Sequence, residues 1–227
     1  MQRASSLFSE SDRLRLNTSV RLAEVGTSAE IVPVVATVSG RYDRAEDLIG
    51  VWVGVLFMIA VSVVWPGSAA SADSGSWDPD PAVTQTGKLI VAMLIGFLFG
   101  VIVGTRVSWL RRLFTPTQQM ADEVRQAAQS VFFDQRIHHT QLGGGLLIYV
   151  SLFEHKAVIL ADHQILTALG QSTLEELCSS LTQQLRTENP TEALCRTIQM
   201  VGKKLAAVLP RAQDDVNELS NSLVMMD

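Results

Sequence analysis

The sequence predicts an α/β fold in which a small mixed β-sheet, flanked by helices, is interrupted by a two-helix transmembrane hairpin. Three observations point there. Two uncharged apolar runs are each long enough to cross a bilayer. Three short runs rich in Val, Ile and Leu are bounded by turn residues. The segments around them carry apolar residues at helical spacing, several of them behind capping residues.

Taken in order, residues 1–10 are expected to be disordered, and residues 11–44 form the first part of a domain that opens with a helix from about Ser11 to Val25. Glu30 to Val38 (EIVPVVATV) is a β-branched run with the pattern of a buried strand. Pro33 pushes that strand toward a sheet edge or a bulge, because proline has no N–H to give to a ladder.

Residues 48–65 (LIGVWVGVLFMIAVSVVW) contain no charge, and at a rise of about 1.5 Å per residue they cover most of a hydrocarbon core about 30 Å thick. Residues 89–105 (LIVAMLIGFLFGVIVGT) are equally uncharged, bracketed by Lys88 before and Arg106, Arg111 and Arg112 after. The first forty residues carry charges throughout, unlike a secretory signal. Arg41 and Arg44 precede the first helix, so the basic residues favour cytoplasmic termini and an extracytoplasmic loop over residues 66–88, in an inner (cytoplasmic) membrane. Trp52, Trp65 and Trp109 are candidate interfacial anchors. Gly50 and Gly54, and Gly96, Gly100 and Gly104, recur every fourth residue; such spacing permits close backbone approach, within the hairpin first and between chains of a homo-oligomer second.

Residues 115–219 form the second part of the domain. Thr115-Pro116-Thr117-Gln118 supplies an N-cap, a first-turn proline and a capping-box glutamine, and Met120, Val124, Ala127, Ala128 and Val131 give the helix after it a buried stripe. Gly143-Gly144-Gly145 introduces the strand LLIYVSL, and the turn FEHK leads into the strand AVILA; so short a connection makes an antiparallel pair. A capping box at Ser172 and Glu175 starts a helix with Leu174, Leu177, Cys178, Leu181 and Leu185 on its inner face. Asn189-Pro190 starts the last helix, which runs to Pro210 with Val201, Leu205 and Val208 inward, and residues 220–227 are a polar tail. Neither side of the hairpin has enough sheet to fold alone. The strand before it should therefore pair with the two after it.

Composition narrows the function. With 18 basic and 23 acidic side chains the net charge is -5, so no positive field recruits nucleic acid. Cys178 and Cys195 lack metal or redox spacing and are expected to be buried, reduced, structural thiols. His138 and His139 are adjacent and diverge, so with His155 they make no ligand trio. The triple glycine lacks the GxGxxG pattern, and no Ser-His-Asp or Cys-His order marks a nucleophile.

The run VFFDQRIHHTQLGGGLLIYVSLFEHKAVILADHQI, the helices after it, AQDDVNELSNSL and the upstream TSAEIVPVVATVSGRYDRAEDL resemble the TPM domain family, named for thylakoid, photosystem-repair and nematode synaptic proteins. The resemblance is to its bacterial subgroup with two membrane helices inserted in the domain, and covers about two-thirds of the chain. Its most specific elements are Thr27 to Val32, Thr140 with GLLIYVSLFEH, Ala161-Asp162, and Asp215 to Leu219. This chain has His163 where the family commonly has Gly, and lacks both a Trp of the next helix and the early aspartate motif of members credited with phosphatase activity.

Topology places a candidate site independently of the family. A helix between the first and second strands makes them parallel, and the short turn makes the third antiparallel to the second, so the starts of the first two meet the end of the third. Thr27, Ser28, Glu30, Thr140 and Asp162 then share one end of the sheet, which should point toward the cytoplasm. Thr27, Glu30, Thr140 and Asp162 are the candidate binding residues, with Glu30 and Asp162 as ligands for a hard cation such as Ca²⁺ or Mg²⁺, and Asp214, Asp215 and Glu218 adding charge if the tail folds back. The bland alternative is that these groups cap strand ends and loops. The leading expectation is a membrane-anchored module that binds a partner protein or a divalent ion in membrane or envelope maintenance; the rival is a metal-dependent phosphatase, which lacks an electrophilic clamp here. Transport through two uncharged helices lacks an intramembrane polar site.

Overall fold

The computed structural model describes residues 3–66, 81–140, 144–212 and 217–227. In chain order the elements are α1 (Ala4–Leu7), α2 (Glu10–Glu24), β1 (Glu30–Ala36), α3 (Asp43–Val64), α4 (Pro81–Arg106), α5 (Ser108–Leu113) and α6 (Thr117–Asp134). One 3-10 turn (Ile137–His139) leads to β2 (Gly145–Ser151), β3 (Lys156–Ala161), α7 (His163–Leu169), α8 (Gln171–Thr187), α9 (Pro190–Val208) and β4 (Val224–Met226). They fall into two compact units: residues 1–40 with 117–227, and residues 41–116.

The first unit is built on a four-stranded mixed sheet of order β3-β2-β1-β4. β1 is parallel to β2, with Glu30 opposite Gly145 and Ala36 opposite Ser151, and β3 returns antiparallel to β2. All seven residues of both β1 and β2 are buried, because helices cover both faces. On one face Ile31, Val35, Leu146 and Ile148 pack with Leu16, Leu181, Ile198 and Leu205 from α2, α8 and α9. On the other, Val32, Val34, Leu147 and Tyr149 meet Val124, Ala128 and Phe132 of α6. Strands covered on both sides give up strict alternation and become continuous apolar runs, the pattern of EIVPVVA and GLLIYVS.

Pro33 is in an interior strand, yet the reasoning that sent it to an edge holds locally. The Glu30 N–H bonds the Gly144 carbonyl on the β2 side (2.8 Å), and the Thr37 N–H bonds the Met226 carbonyl on the β4 side (2.7 Å). Alternation therefore turns the Pro33 nitrogen toward β4, which pairs only with Val34, Val35 and Ala36. Beside the first half of β1 the ladder is replaced by side chains. The Ile31 N–H donates to Glu24 Oε1 (2.8 Å), and Glu30 Oε1 accepts the Glu218 N–H (3.0 Å).

Several expectations are corrected at the ends of the chain and of its helices. Residues 3–10 are not structureless: α2 opens with a reciprocal Ser9–Asp12 capping box, and Ala4 and Phe8 are buried. The tail is not merely polar, since Leu223 is buried and β4 follows it. Asp162 caps a separate short helix, α7, and α8 begins at Gln171 after Gly170 (φ 79°) without the Ser172 capping box. The Thr115 hydroxyl donates back to the Arg111 carbonyl (2.9 Å). α9 does open on an Asn189 cap followed by Pro190, but Val208 is 38 % exposed.

The two ends of the chain meet at Thr37. Its hydroxyl accepts the Ala4 N–H (2.7 Å) and donates to Asp227 Oδ1 (3.0 Å), while Asp227 also accepts from the Ser5 N–H (3.1 Å) and the Ser5 hydroxyl.

In the second unit, α3 and α4 contain stretches of 21 and 24 residues that are long and apolar enough to cross a membrane, and most of their large side chains are exposed. α4 begins at Pro81, inside the segment expected to be loop. The helices run in opposite senses and touch along their glycines. A Cβ at Gly100 would lie 2.9 Å from the Gly50 Cα and 2.8 Å from the Val53 Cβ; one at Gly96 would lie 2.9 Å from the Gly54 Cα. Both glycine series are thus used inside the pair.

Two outcomes follow. Gly100→Ile should destabilise the helix pair by about 1–3 kcal/mol through overpacking, read as unfolding in a detergent titration, whereas Gly87→Ile, with nothing within 4 Å of its Cβ, should not. The Ser5 hydrogen bonds hold the Asp227 carboxyl below its ordinary pKa. With the folded-state pKa depressed, this stabilisation is full above the unfolded carboxylate range and lost as pH falls through the folded value. Asp227→Asn should flatten that acid-side loss in a series of Tm measurements against pH.

Candidate functional site

The start of β1, the start of β2 and the end of β3 form one end of the sheet. Glu30 lies opposite Gly145, and Gly145 exchanges backbone hydrogen bonds with the residues beside it: its carbonyl accepts the Asp162 N–H (3.0 Å). Glu30 and Asp162 therefore flank Gly145, two strand spacings apart or about 10 Å between backbones. Alternation directs Glu30 and Gly145 to the α6 face. There the Ile137 carbonyl occupies the place of a side chain, since a Cβ on Gly145 would lie 1.8 Å from that oxygen.

Each of the candidate residues has identifiable hydrogen bonds. Both Asp162 oxygens accept backbone N–H groups: Oδ2 from Gly145 (3.0 Å) and Oδ1 from Ile165 (2.9 Å), the latter as the N-cap of α7. Glu30 is 6 % exposed and ties β1 to Glu218. The Thr27 hydroxyl donates to the Leu209 carbonyl (2.6 Å) and accepts the Ala29 N–H (3.2 Å). Ser28 Oγ accepts from Ala212 (2.8 Å), and Thr140 Oγ1 accepts from Gly144 (2.8 Å). The topology brings all of them to one end of the sheet, where these contacts hold loops and strand entries. A shared Ca²⁺ or Mg²⁺ would need ligand oxygens about 2.0–2.6 Å from one ion. Among the described residues no group of three His, Cys, Asp or Glu is arranged to hold a metal. Asp214 and Asp215 lie outside the described residues, as does Gly143.

Glu24 belongs to this end although its sequence context gave no sign of it. One oxygen takes the Ile31 N–H and the other the side-chain amide of Asn221, so α2, β1 and the tail are joined through one carboxylate.

A second polar cluster, missed in the sequence, lies at the opposite end of β1 and β2. Glu154 is 1 % exposed and accepts the Ser39 N–H (2.9 Å), the Gly40 N–H (3.3 Å) and the Ser151 hydroxyl. The Ser39 hydroxyl bridges Ser151 Oγ (2.8 Å) and the Tyr149 hydroxyl (3.0 Å), and burial pushes the Tyr149 phenol up. In the sequence the FEHK segment shows only as a turn. What could have signalled more is a carboxylate one residue past an aromatic, at the mouth of two buried strands, one ending in Ser151 and the other followed by Thr37 and Ser39.

The remaining candidates have structural surroundings. Cys178 and Cys195 are free and half-buried; the Cys178 thiol donates to the Ala157 carbonyl (3.0 Å), and desolvation raises its pKa, which disfavours the nucleophilic thiolate. His138 packs edge-on to Phe133 (4.9 Å between centroids), and His155 is on the β2–β3 turn with φ 52°. A shallow groove of about 310 Å³ runs between α2 and α9, lined by Leu22, Ala23, Gly26, Gln199, Gly202, Lys203 and Ala206, with no acid among them.

No protein-family model matches the chain, and no curated protein matches it in sequence. Among solved structures it is similar to the BA42 protein of the psychrophilic bacterium Bizionia argentinensis, determined by NMR: the identity is 16 %, 99 % of each chain is covered and the TM-score is 0.56. At that identity the likeness concerns the fold.

The geometry ranks two substitutions. Gly145→Ala drives a methyl into the Ile137 carbonyl and should destabilise the first unit by about 3 kcal/mol or more. Asp162→Ala removes a helix cap and should cost about 1 kcal/mol. Equal small losses of unfolding free energy in the two variants would contradict the packing described at this end.

Proposed function

We propose that the chain is a membrane-anchored TPM-like module, its α/β domain interrupted by a transmembrane hairpin, and that it acts by binding a partner protein in membrane or envelope protein maintenance. One observation carries the reading. Two helices long and apolar enough to cross a membrane, with most of their large side chains exposed, belong to the same chain as an α/β unit whose candidate acids already hold backbone N–H groups. Such a unit offers a rigid surface at a membrane and no assembled catalytic set among its described residues.

The orientation rests on charge. Arg41, Arg44, Arg106, Arg111 and Arg112 lie at one end of the helix pair and Lys88 alone among basic residues at the other, so both termini are cytoplasmic and the segment between the helices is extracytoplasmic. The resemblance of the strands and of the Asp215–Leu219 segment to the TPM family supports the same architecture. The divalent-ion and phosphatase readings rest on Glu30 and Asp162. Phosphoryl transfer would further need a cationic clamp beside them, for which those contacts offer no residue.

Two measurements test the proposal. With Cys178 and Cys195 replaced by Ser, Ser74→Cys should react with a membrane-impermeant maleimide in intact cells, and Ser220→Cys only after permeabilisation; the reverse pattern would sink the orientation. Calorimetric titration of the full detergent-solubilised chain with Ca²⁺ or Mg²⁺ should give no saturable heat, and phosphate-ester hydrolysis should be absent. Saturable binding or turnover lost in Asp162→Asn would instead favour the ion-binding or phosphatase reading.

A further inference from the structure

The second unit has a surface that the packing of α3 on α4 does not use. α4 ends at Arg106, and after Val107 the chain enters α5, a separate six-residue helix of sequence SWLRRL. Successive helical residues are rotated by about 100°, so Trp109, Arg112 and Leu113 share one side while Arg111 points the other way. Arg111 Nη1 meets Glu46 Oε1 at 3.0 Å, with the two side chains 22 % and 17 % exposed. That ion pair fixes the inner side of α5 to the first turns of α3. It leaves Trp109 and Leu113 facing outward, 69 % and 71 % exposed.

The charge at this end of the unit has one sign in excess. Five arginines, at 41, 44, 106, 111 and 112, stand against Asp43, Glu46 and Asp47, and one of those acids is taken by Arg111. Arg41, Arg44 and Arg106 are exposed. An indole and a leucine presented together beside excess positive charge, on a short helix separated by one residue from a long apolar helix, match the chemistry of the headgroup layer. An indole favours the membrane–water boundary, an apolar helix face enters it shallowly, and arginines attract lipid phosphates.

We propose that α5 docks on an anionic phospholipid surface, with Trp109 and Leu113 at the acyl boundary and Arg41, Arg44 and Arg106 meeting the lipid phosphates. The proposal rests on the reading of α3 and α4 as membrane spans and goes beyond it. A span alone requires neither a second helix along the surface nor a preference among lipids. The Glu46–Arg111 pair acts as the positioning contact, since it sets which side of α5 faces outward.

The test uses the full chain reconstituted into vesicles, either of phosphatidylcholine or of an equimolar mixture of phosphatidylcholine and phosphatidylglycerol, both doped with the same amount of phosphatidylcholine brominated high on its acyl chains. Trp109 is the sole tryptophan, excited selectively over tyrosine, when Trp52, Trp65 and Trp77 are replaced by Phe; a second variant keeps only Trp52. Trp52 should be quenched in both vesicles. Trp109 quenching should be roughly two- to fivefold stronger with the anionic lipid, and Arg106→Gln should remove much of that difference. Trp109 emission that stays water-like in both vesicles, or quenching indifferent to lipid charge, would overturn the docking while Trp52 still reports the span. Absence of Trp52 quenching would overturn the span and the docking with it.

Discussion

β1 is the strand on which the first unit depends, because it is parallel to its neighbours on both sides and carries a proline between them. A parallel neighbour cannot be reached by a tight turn, so every connection that returns to β1 must be long. On the β2 side the connection holds the whole second unit and α6; on the β4 side it holds almost all the rest of the chain. Pro33 then limits how far the second ladder extends. Its nitrogen faces β4, which is confined to three residues, and the chain leading to β4 is held to the first half of β1 by Glu24 and Glu30 instead of by backbone bonds. A single residue type thus accounts for a short strand and for two carboxylates in partly or fully buried positions.

That account changes what the acids at this end mean. Convergence of Glu30 and Asp162 is what topology requires, and convergence alone would suit a cation. The hydrogen bonds supply another cause for each: Glu30 stands in for a missing ladder, and Asp162 supplies the cap that begins α7. A carboxylate oxygen has more than one lone pair, so these bonds leave acceptor capacity, but they fix the direction in which each group points. The Ile137 carbonyl between them adds a third fixed dipole. The arrangement is rigid because it joins loops, and rigidity of that kind serves a binding surface as well as it serves a fold.

How much could be read in advance follows from the range of each interaction. The continuous apolar runs at 31–36 and 146–150, the stripe Met120–Val124–Ala128–Val131 and the Asn189-Pro190 start are local patterns, and each lies where its pattern puts it. The glycine series also carried its own answer, since the residues on α3 match those on α4 when the helices run in opposite senses. What escaped was non-local or short. β4 is the three residues Val224, Met225 and Met226, whose strand character comes from a partner nearly two hundred positions earlier. α1 is four residues whose order derives from Thr37 and Asp227. The Ser39–Tyr149–Ser151–Glu154 cluster assembles from two stretches more than a hundred residues apart, neither of which signals it alone. Among the candidate site residues, positions were legible and purposes were not. Patterns of residue types reveal which groups meet; only geometry reveals which N–H each one accepts.

The two buried polar clusters differ in what they restrain. The one at the start of the strands joins α2, β1, β2 and the tail, and its acids sit among loops that only the first unit contains. The Glu154 cluster grips Ser39 and Gly40, the last residues before the second unit begins. Two backbone N–H groups bound to one buried carboxylate hold that exit where the β1 ladder has run out. Glu154 reaches it from the β2–β3 turn, which lies beyond the intervening unit in sequence, so the grip forms only when both parts of the interrupted domain are assembled. An insertion as long as residues 41–116 would otherwise leave β1 with a frayed end. The carboxylate therefore stabilises the entry to the insertion by the same interactions that complete the host sheet, which is how one domain accommodates another without losing its central strand.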